Sequence, residues 1–354
     1  MTPLTSHERF KRMYDHRDAD RVPILDSPWK ETIDRWVAEG MPSRDYIQHF
    51  DLDNTPHIWI DNSPRYPEQV LEETDEYRIT TTPWGVTLRN WTKHGSTPEF
   101  LDFTVVSPET WRDAKPRMLV GENRVDWDRL KREYPIWRKD GRWIRAGTWF
   151  GFDVTHSWFC GTERILMALA DEPEWCVDMF NTELDVSLAW LDRIWEAGYT
   201  FDEIEWPDDM GYKDHQFFSL TMYRELLKPV HKRACDWAHA HGVKVHLHSC
   251  GNILPIIPEL IEIGVDGLNP LEVKAGMDPI FIKKTYGDKL LLHGGINAVL
   301  WDKPDQIIAE IERVVPVVKQ NGGYIFASDH SIPENVSLSD FTAIIEAAKR
   351  AGAY

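Results

Sequence analysis

From about Trp143 onward, short apolar runs alternate with longer stretches in which apolar residues return every three or four positions. The short runs predict strands over 143–150, 202–206, 244–248, 267–271, 290–293 and 323–327, and the longer ones predict helices over 163–171, 174–197, 220–241, 254–263, 304–320 and 338–351. Glycines at Gly242, Gly264 and Gly322 stand where helices stop, and Ser337 stands where the last one starts. Strand and helix alternating at this spacing imply parallel strands joined by crossover helices.

The first 140 residues are less regular. A charged helix over about 6–18 leads into an apolar run at 21–26, and a second run at 57–61 also ends on an acid. Residues 76–90 read as a β-hairpin with Pro83-Trp84-Gly85 at its turn. This segment reads as an insertion of about 70–140 beside the parallel-strand unit. No Gly-x-Gly-x-x-Gly fingerprint follows a strand and no Walker sequence occurs, which turns the expectation from a dinucleotide-binding sheet to a barrel. The expected fold is an α/β (β/α)8 TIM barrel with an N-terminal extension and a β-hairpin insertion, residues 1–354 forming a single domain. The 354 residues suffice, because such barrels need about 250.

Composition narrows the function classes. With 42% hydrophobic and 12% aromatic residues the chain can bury a large core, and its net charge of −18 lacks the basic footprint of a nucleic-acid binder. Cys160, Cys176, Cys235 and Cys250 show no disulfide spacing, no apolar leader opens the chain, and no apolar run is long enough for a membrane span. A cytoplasmic protein without membrane or nucleic-acid partners, acting on a small molecule, is expected.

The chemistry gathers where predicted strands end, which in a barrel is the catalytic mouth. His248 and Cys250, two residues apart at the end of an apolar strand, point to the same side and are both zinc-type ligands. His330 closes another predicted strand. If both strands belong to one barrel, His248, Cys250 and His330 form a three-ligand zinc site with an open fourth position, the arrangement of catalytic zinc. Asp329 is either a further ligand or a partner that orients an imidazole. Asp208, Asp209 and Glu272 are the candidate catalytic acids, and Asn297, after Gly294-Gly295, is a candidate cofactor-binding residue. Asp26 and Asp61 end strands in the same way. Ser249, between the two metal-type residues, is expected to tolerate replacement by alanine.

Taken in order, Glu8-Arg9 through Asp20-Arg21-Val22-Pro23, then Asp208-Asp209, His248-Ser249-Cys250-Gly251-Asn252, Gly294-Gly295-Ile296-Asn297 and Ser331-Ile332-Pro333 resemble the uroporphyrinogen decarboxylase superfamily, especially its corrinoid-linked methyltransferase branch. The resemblance implies the (β/α)8 barrel. It also implies zinc held by a His-x-Cys pair and a distant Cys, with cobalamin carried by a separate corrinoid-binding protein. His248 and Cys250 match the pair; His330 falls at the distant Cys by position and not by type. An imidazole in place of a thiolate leaves zinc more electrophilic, which favours an oxygen-bound methyl donor. The arginine-rich segment that clamps porphyrinogen carboxylates is replaced here by Asp26-Ser27-Pro28-Trp29-Lys30-Glu31, so porphyrin decarboxylation is not expected.

The function expected is therefore zinc-dependent methyl transfer, including O-demethylation, between a small methoxylated substrate or a thiol and a corrinoid partner protein. The alternatives are a metal-independent lyase of the same fold acting on a smaller carboxylic acid, and a binding protein without turnover.

Overall fold

The computed structural model describes residues 3–92, 97–119 and 121–354. Its centre is a seven-stranded parallel sheet in the order β1 (His57–Trp59), β6 (Arg145–Gly147), β7 (Glu203–Pro207), β8 (Lys244–His248), β9 (Gly267–Asn269), β10 (Leu291–His293) and β11 (Tyr324–Ile325). Strands adjacent in sequence from β6 onward are adjacent in space, as crossover helices between parallel strands require. The segment around Ile24 adds to β11 through a single parallel bridge to Phe326. That gives the eight positions of a barrel, but among the described residues no ladder joins this segment to β1.

At that seam one residue does the stitching. The Asp53 N–H donates to the Ile24 carbonyl (3.2 Å), the Ile24 N–H donates to Asp53 Oδ2 (2.9 Å), and Arg9 and Arg21 pair with the same carboxylate at 2.8 and 2.6 Å. Helix α1 (Ser6–Tyr14), started by a capping box between Thr5 and Glu8, covers the N-terminal end of the strands. It buries Phe10, Met13 and Tyr14 against Trp143, Leu291 and Ile325.

The strands carry their polarity inward. Ile204 and Trp206 face the helices, Trp206 stacking on Phe150 at 4.8 Å between ring centres. Glu203 and Glu205, on the other side of β7, pair with Arg145 of β6 at 3.0 Å each. Histidines alternate along β8 in the same sense, with His246 and His248 inside.

The expected hairpin is present as β3 (Tyr77–Thr81) and β4 (Val86–Trp91), with Pro83-Trp84-Gly85 in the turn. It is part of a larger unit, a four-stranded antiparallel sheet completed by β2 (Val70–Glu73) and β5 (Glu99–Phe103). Two helices the periodicity did not show follow it, Pro108–Leu119 and Trp127–Lys139.

Candidate metal centre

The Asp208–Gly211 loop after β7 and the Ser249–Asn252 loop after β8 are held together by backbone N–H groups that donate to backbone and side-chain oxygens across the gap. The Asp208 N–H donates to the His248 carbonyl (2.7 Å), the Met210 N–H to Ser249 Oγ (3.0 Å), the Cys250 N–H to Asp209 Oδ1 (2.7 Å), and the Asn252 N–H to the Tyr212 carbonyl (2.9 Å). Gly211 and Gly251 make the approach possible: a Cβ on Gly211 would stand 2.8 Å from the Asn252 nitrogen and 2.9 Å from the Cys250 oxygen.

This clamp carries Asp209 to the His-x-Cys pair. Asp209, His248 and Cys250 each place one donor atom within 4.8 Å of the other two. His248 Nε2 lies 3.4 Å from Cys250 Sγ and 3.6 Å from Asp209 Oδ1. Tetrahedral zinc with Zn–N and Zn–O near 2.1 Å and Zn–S near 2.3 Å separates N from S by about 3.6 Å and N from O by about 3.4 Å. The donor set therefore fits a divalent zinc-like cation with little rearrangement. His248 Nδ1 is 3.2 Å from Asn269 Oδ1, its register partner on β9. Donation to that oxygen leaves Nε2 as the ligand atom, the usual outer-shell control of a metal-binding imidazole.

The electrostatics point the same way. Burial pushes the Cys250 thiol well above its ordinary pKa, and the carboxylates of Asp209, Glu272 and Asp153 push further. Burial also raises Asp209. Acids and a thiol gathered in one partly buried place repel one another once ionised, a conflict that a divalent cation resolves.

The remaining candidates fall in different places. His330 is exposed on the rim of the same cavity and lies outside the donor cluster, so the third donor beside the pair is Asp209. Asp329 is buried, its carboxylate accepting the N–H groups of Val273 and Ala298 at 2.7 Å each. That makes it a brace between two loops. Asp208 is fully buried, accepting from the Asp153 N–H (2.6 Å) and facing His231 Nε2 (2.7 Å), away from the cavity. Glu272 accepts the Gly251 N–H at 2.6 Å and so supports the Cys250 loop. Asn297 caps the 3-10 turn Ala298–Leu300 by accepting the Val299 N–H. Asp61 is bonded to Ser63 and Arg65.

A cavity of about 910 Å³ opens beside the cluster, lined by His246, His248, Cys250 and His293 and by residues 24–27 and 53–57 on the two sides of the seam. Trp59 lines it with its ring across Gly147, where a Cβ would come within 2.5 Å of the indole; at 46% exposure this is an open aromatic platform. Each arginine lining the cavity is already paired, Arg129 with Glu133 (2.9 Å), Arg142 with Asp140 (2.8 Å) and Arg145 with Glu203 and Glu205. Among the described residues, no arginine without an acidic partner lines the cavity.

Three further cavity residues have shifted pKa values, and two of them, His246 and His293, escaped the sequence reading. Asp26, placed at a strand end by pattern alone, has its pKa pushed up to about 7 by burial, against the opposing hydrogen bonds from Ser328 and Ser27. Deeper in, His246 is pushed down to about 3 by burial and by Arg145, and burial holds His293 well below the ordinary histidine range. Both stay neutral at pH 7.

The sequence profile of the family described as "Uroporphyrinogen decarboxylase (URO-D)" matches residues 157–351. No curated protein matches the chain. Among solved structures, a methyltransferase from Methanosarcina mazei superposes with a TM-score of 0.62 at 16% identity, covering 98% of this chain and 99% of its own. A xylose isomerase domain protein from Alicyclobacillus acidocaldarius covers 64% of this chain and 84% of its own at 9% identity, with a TM-score of 0.34. The first of these likenesses shows a shared fold over nearly the whole of both chains.

Proposed function

Since this chain belongs to the uroporphyrinogen decarboxylase family, we propose that it is a zinc-dependent methyltransferase that moves a methyl group between a small methoxylated substrate and a corrinoid carried by a separate protein. The observation that carries this reading is the Asp209–His248–Cys250 cluster at the C-terminal ends of parallel strands, beside a cavity with an open indole. When bound there, zinc supplies a Lewis acid beside the substrate's reacting oxygen.

The chain's own residues do the rest. His248, Cys250 and Asp209 hold the metal, with Asn269 fixing the His248 ring. Trp59 offers a face to an aromatic substrate. Loss of a methyl group from an ether leaves an oxygen that needs a proton, and Asp26, titrating near neutrality in the same cavity, is the group placed to deliver one. His330 belongs to the rim, where substrate and the corrinoid protein enter. The paired arginines argue against the lyase reading, which needs a free cation for its acid.

The test uses purified protein, zinc, a methoxylated aromatic and free reduced cobalamin, followed by visible absorption. Methylcobalamin should accumulate with wild type and not with Cys250→Ser. No methylation of cobalamin by the zinc-loaded wild type with any methoxylated aromatic or thioether tried would sink the proposal.

A further inference from the structure

A second cavity, of about 510 Å³, is lined by residues from both ends of the helix Thr162–Asp171, by the end of β5 and by the start of the helix Pro173–Glu196. It shares no lining residue with the cavity beside the metal cluster. Its walls are apolar: Phe103 and Val106 beside the insertion sheet, Met167 and Ala168 on the helix, and the Trp175 ring.

The two ends of the helix Thr162–Asp171 give this cavity opposite polarity. At its start the N-cap is Gly161, which brings no side chain to the first N–H groups. Arg164 there donates to the Cys160 carbonyl and has no acidic partner among the described residues. At its close stand Asp171 and Glu172, with no base in the last turn and no ion pair among the described residues. The helix dipole adds partial positive charge to the first end and negative charge to the second. At a rise of 1.5 Å per residue the ends lie about 13 Å apart, each without a counter-charge. Glu163 also lines the first end, opposed by the neighbouring guanidinium and the uncapped N–H groups. Trp175, in the same lining, is 6% exposed, and its indole Nε1 has no hydrogen-bond partner among the described residues. An indole N–H is a donor only, so whatever satisfies it must bring an acceptor.

We propose that this cavity binds a short peptide with free termini, its carboxylate at the Gly161–Arg164 end and its ammonium at the Asp171–Glu172 end. An uncapped helix N-terminus beside an unpaired arginine suits a carboxylate. An extended tripeptide spans about 10 Å, and the reach of the Arg164 and acidic side chains covers the remainder. Its apolar side chain lies against Met167 and Phe103, and its carbonyl oxygens are the kind of acceptor that the Trp175 N–H lacks. The volume falls within the range of small-ligand pockets, about 300–1,000 Å³. A single amino acid is too short to meet both ends, and an internal segment of a protein has neither terminal charge.

The test uses the full chain carrying 13C-labelled methionine methyl groups. Met167, 60% exposed in the cavity wall, is the reporter, its signal identified by its loss in Met167→Leu. The tripeptide alanyl-leucyl-alanine should move that signal at millimolar concentration. Its N-acetylated and C-amidated forms should each bind at least about threefold more weakly, as loss of one exposed ion pair allows, and free leucine more weakly still. In Arg164→Gln amidation should cost nothing further, and in the double variant Asp171→Asn, Glu172→Gln acetylation should cost nothing further. A Met167 signal that the free tripeptide leaves in place overturns the proposal. So does equal binding of the free and blocked peptides, or of the tripeptide and leucine. The wild-type peptide series alone decides if the variants do not fold. The measurement involves neither zinc nor methyl transfer, so this site and the metal centre stand or fall separately.

Discussion

Gly251 packs its backbone directly onto that of Gly211, so that a Cβ at Gly251 would fall inside the van der Waals envelope of the Gly211 carbonyl and the Tyr212 nitrogen. This contact joins the loop that carries Asp209 to the loop that carries Cys250. Gly251 also has φ +78, a conformation that L side chains rarely adopt.

Gly251→Ala should therefore push the two loops apart and weaken metal binding at least tenfold, with a marked fall in melting temperature. Gly242→Ala is the control. Gly242 has a similar φ of +70, but a Cβ there would meet nothing within 4 Å, so the substitution should cost only the left-handed backbone preference, about 1 kcal/mol. Equal effects of the two on zinc affinity would contradict the clamp.

Ser249 is less dispensable than its sequence position implies. Its hydroxyl accepts the buried Met210 N–H at 3.0 Å, and Ser249 itself is 2% exposed. Ser249→Ala leaves that N–H without an acceptor and should cost about 1–3 kcal/mol in a urea unfolding series. A change within the error of the method would show that the loop relaxes around the loss.

Asp26 gives the pH dependence. Its folded pKa of about 7 lies above the ordinary unfolded value of about 4, so between these pH values the folded state binds more protons than the unfolded one. Stability must then fall as pH rises through that window, and the loss is complete above pH 7. Asp26→Asn carries no such proton, so its melting temperature should drop less than that of wild type between pH 5 and pH 8. Parallel pH profiles for the two proteins would refute the assignment.

Much of this architecture was legible in the sequence. Strand β8 and the helix Pro304–Val318 stood out because their apolar periods are clean and glycine or proline marks their ends. The helices Pro108–Leu119 and Trp127–Lys139 did not, since each is rich in charge and contains an internal proline, Pro116 and Pro135. The site was half legible. His248 and Cys250 announce themselves by spacing along one strand. Asp209 could not be told from Asp208 by any local rule, because one residue's shift sends one carboxylate to the metal cluster and the other to His231. The buried contacts of Tyr14 with Glu203 and His246, and of His246 with His293, were hidden by an inverted pattern: β7 turns its glutamates inward, where polar residues are normally read as the solvent side.

Elemental analysis of the purified protein tests the central claim most directly, run side by side on wild type, Asp209→Ala, Cys250→Ser and His330→Ala after zinc loading and dialysis. The account predicts about one zinc per chain in wild type and in His330→Ala, and little or none in Asp209→Ala and Cys250→Ser. Wild type that takes up no zinc, or zinc lost with His330 and kept without Asp209, would contradict it.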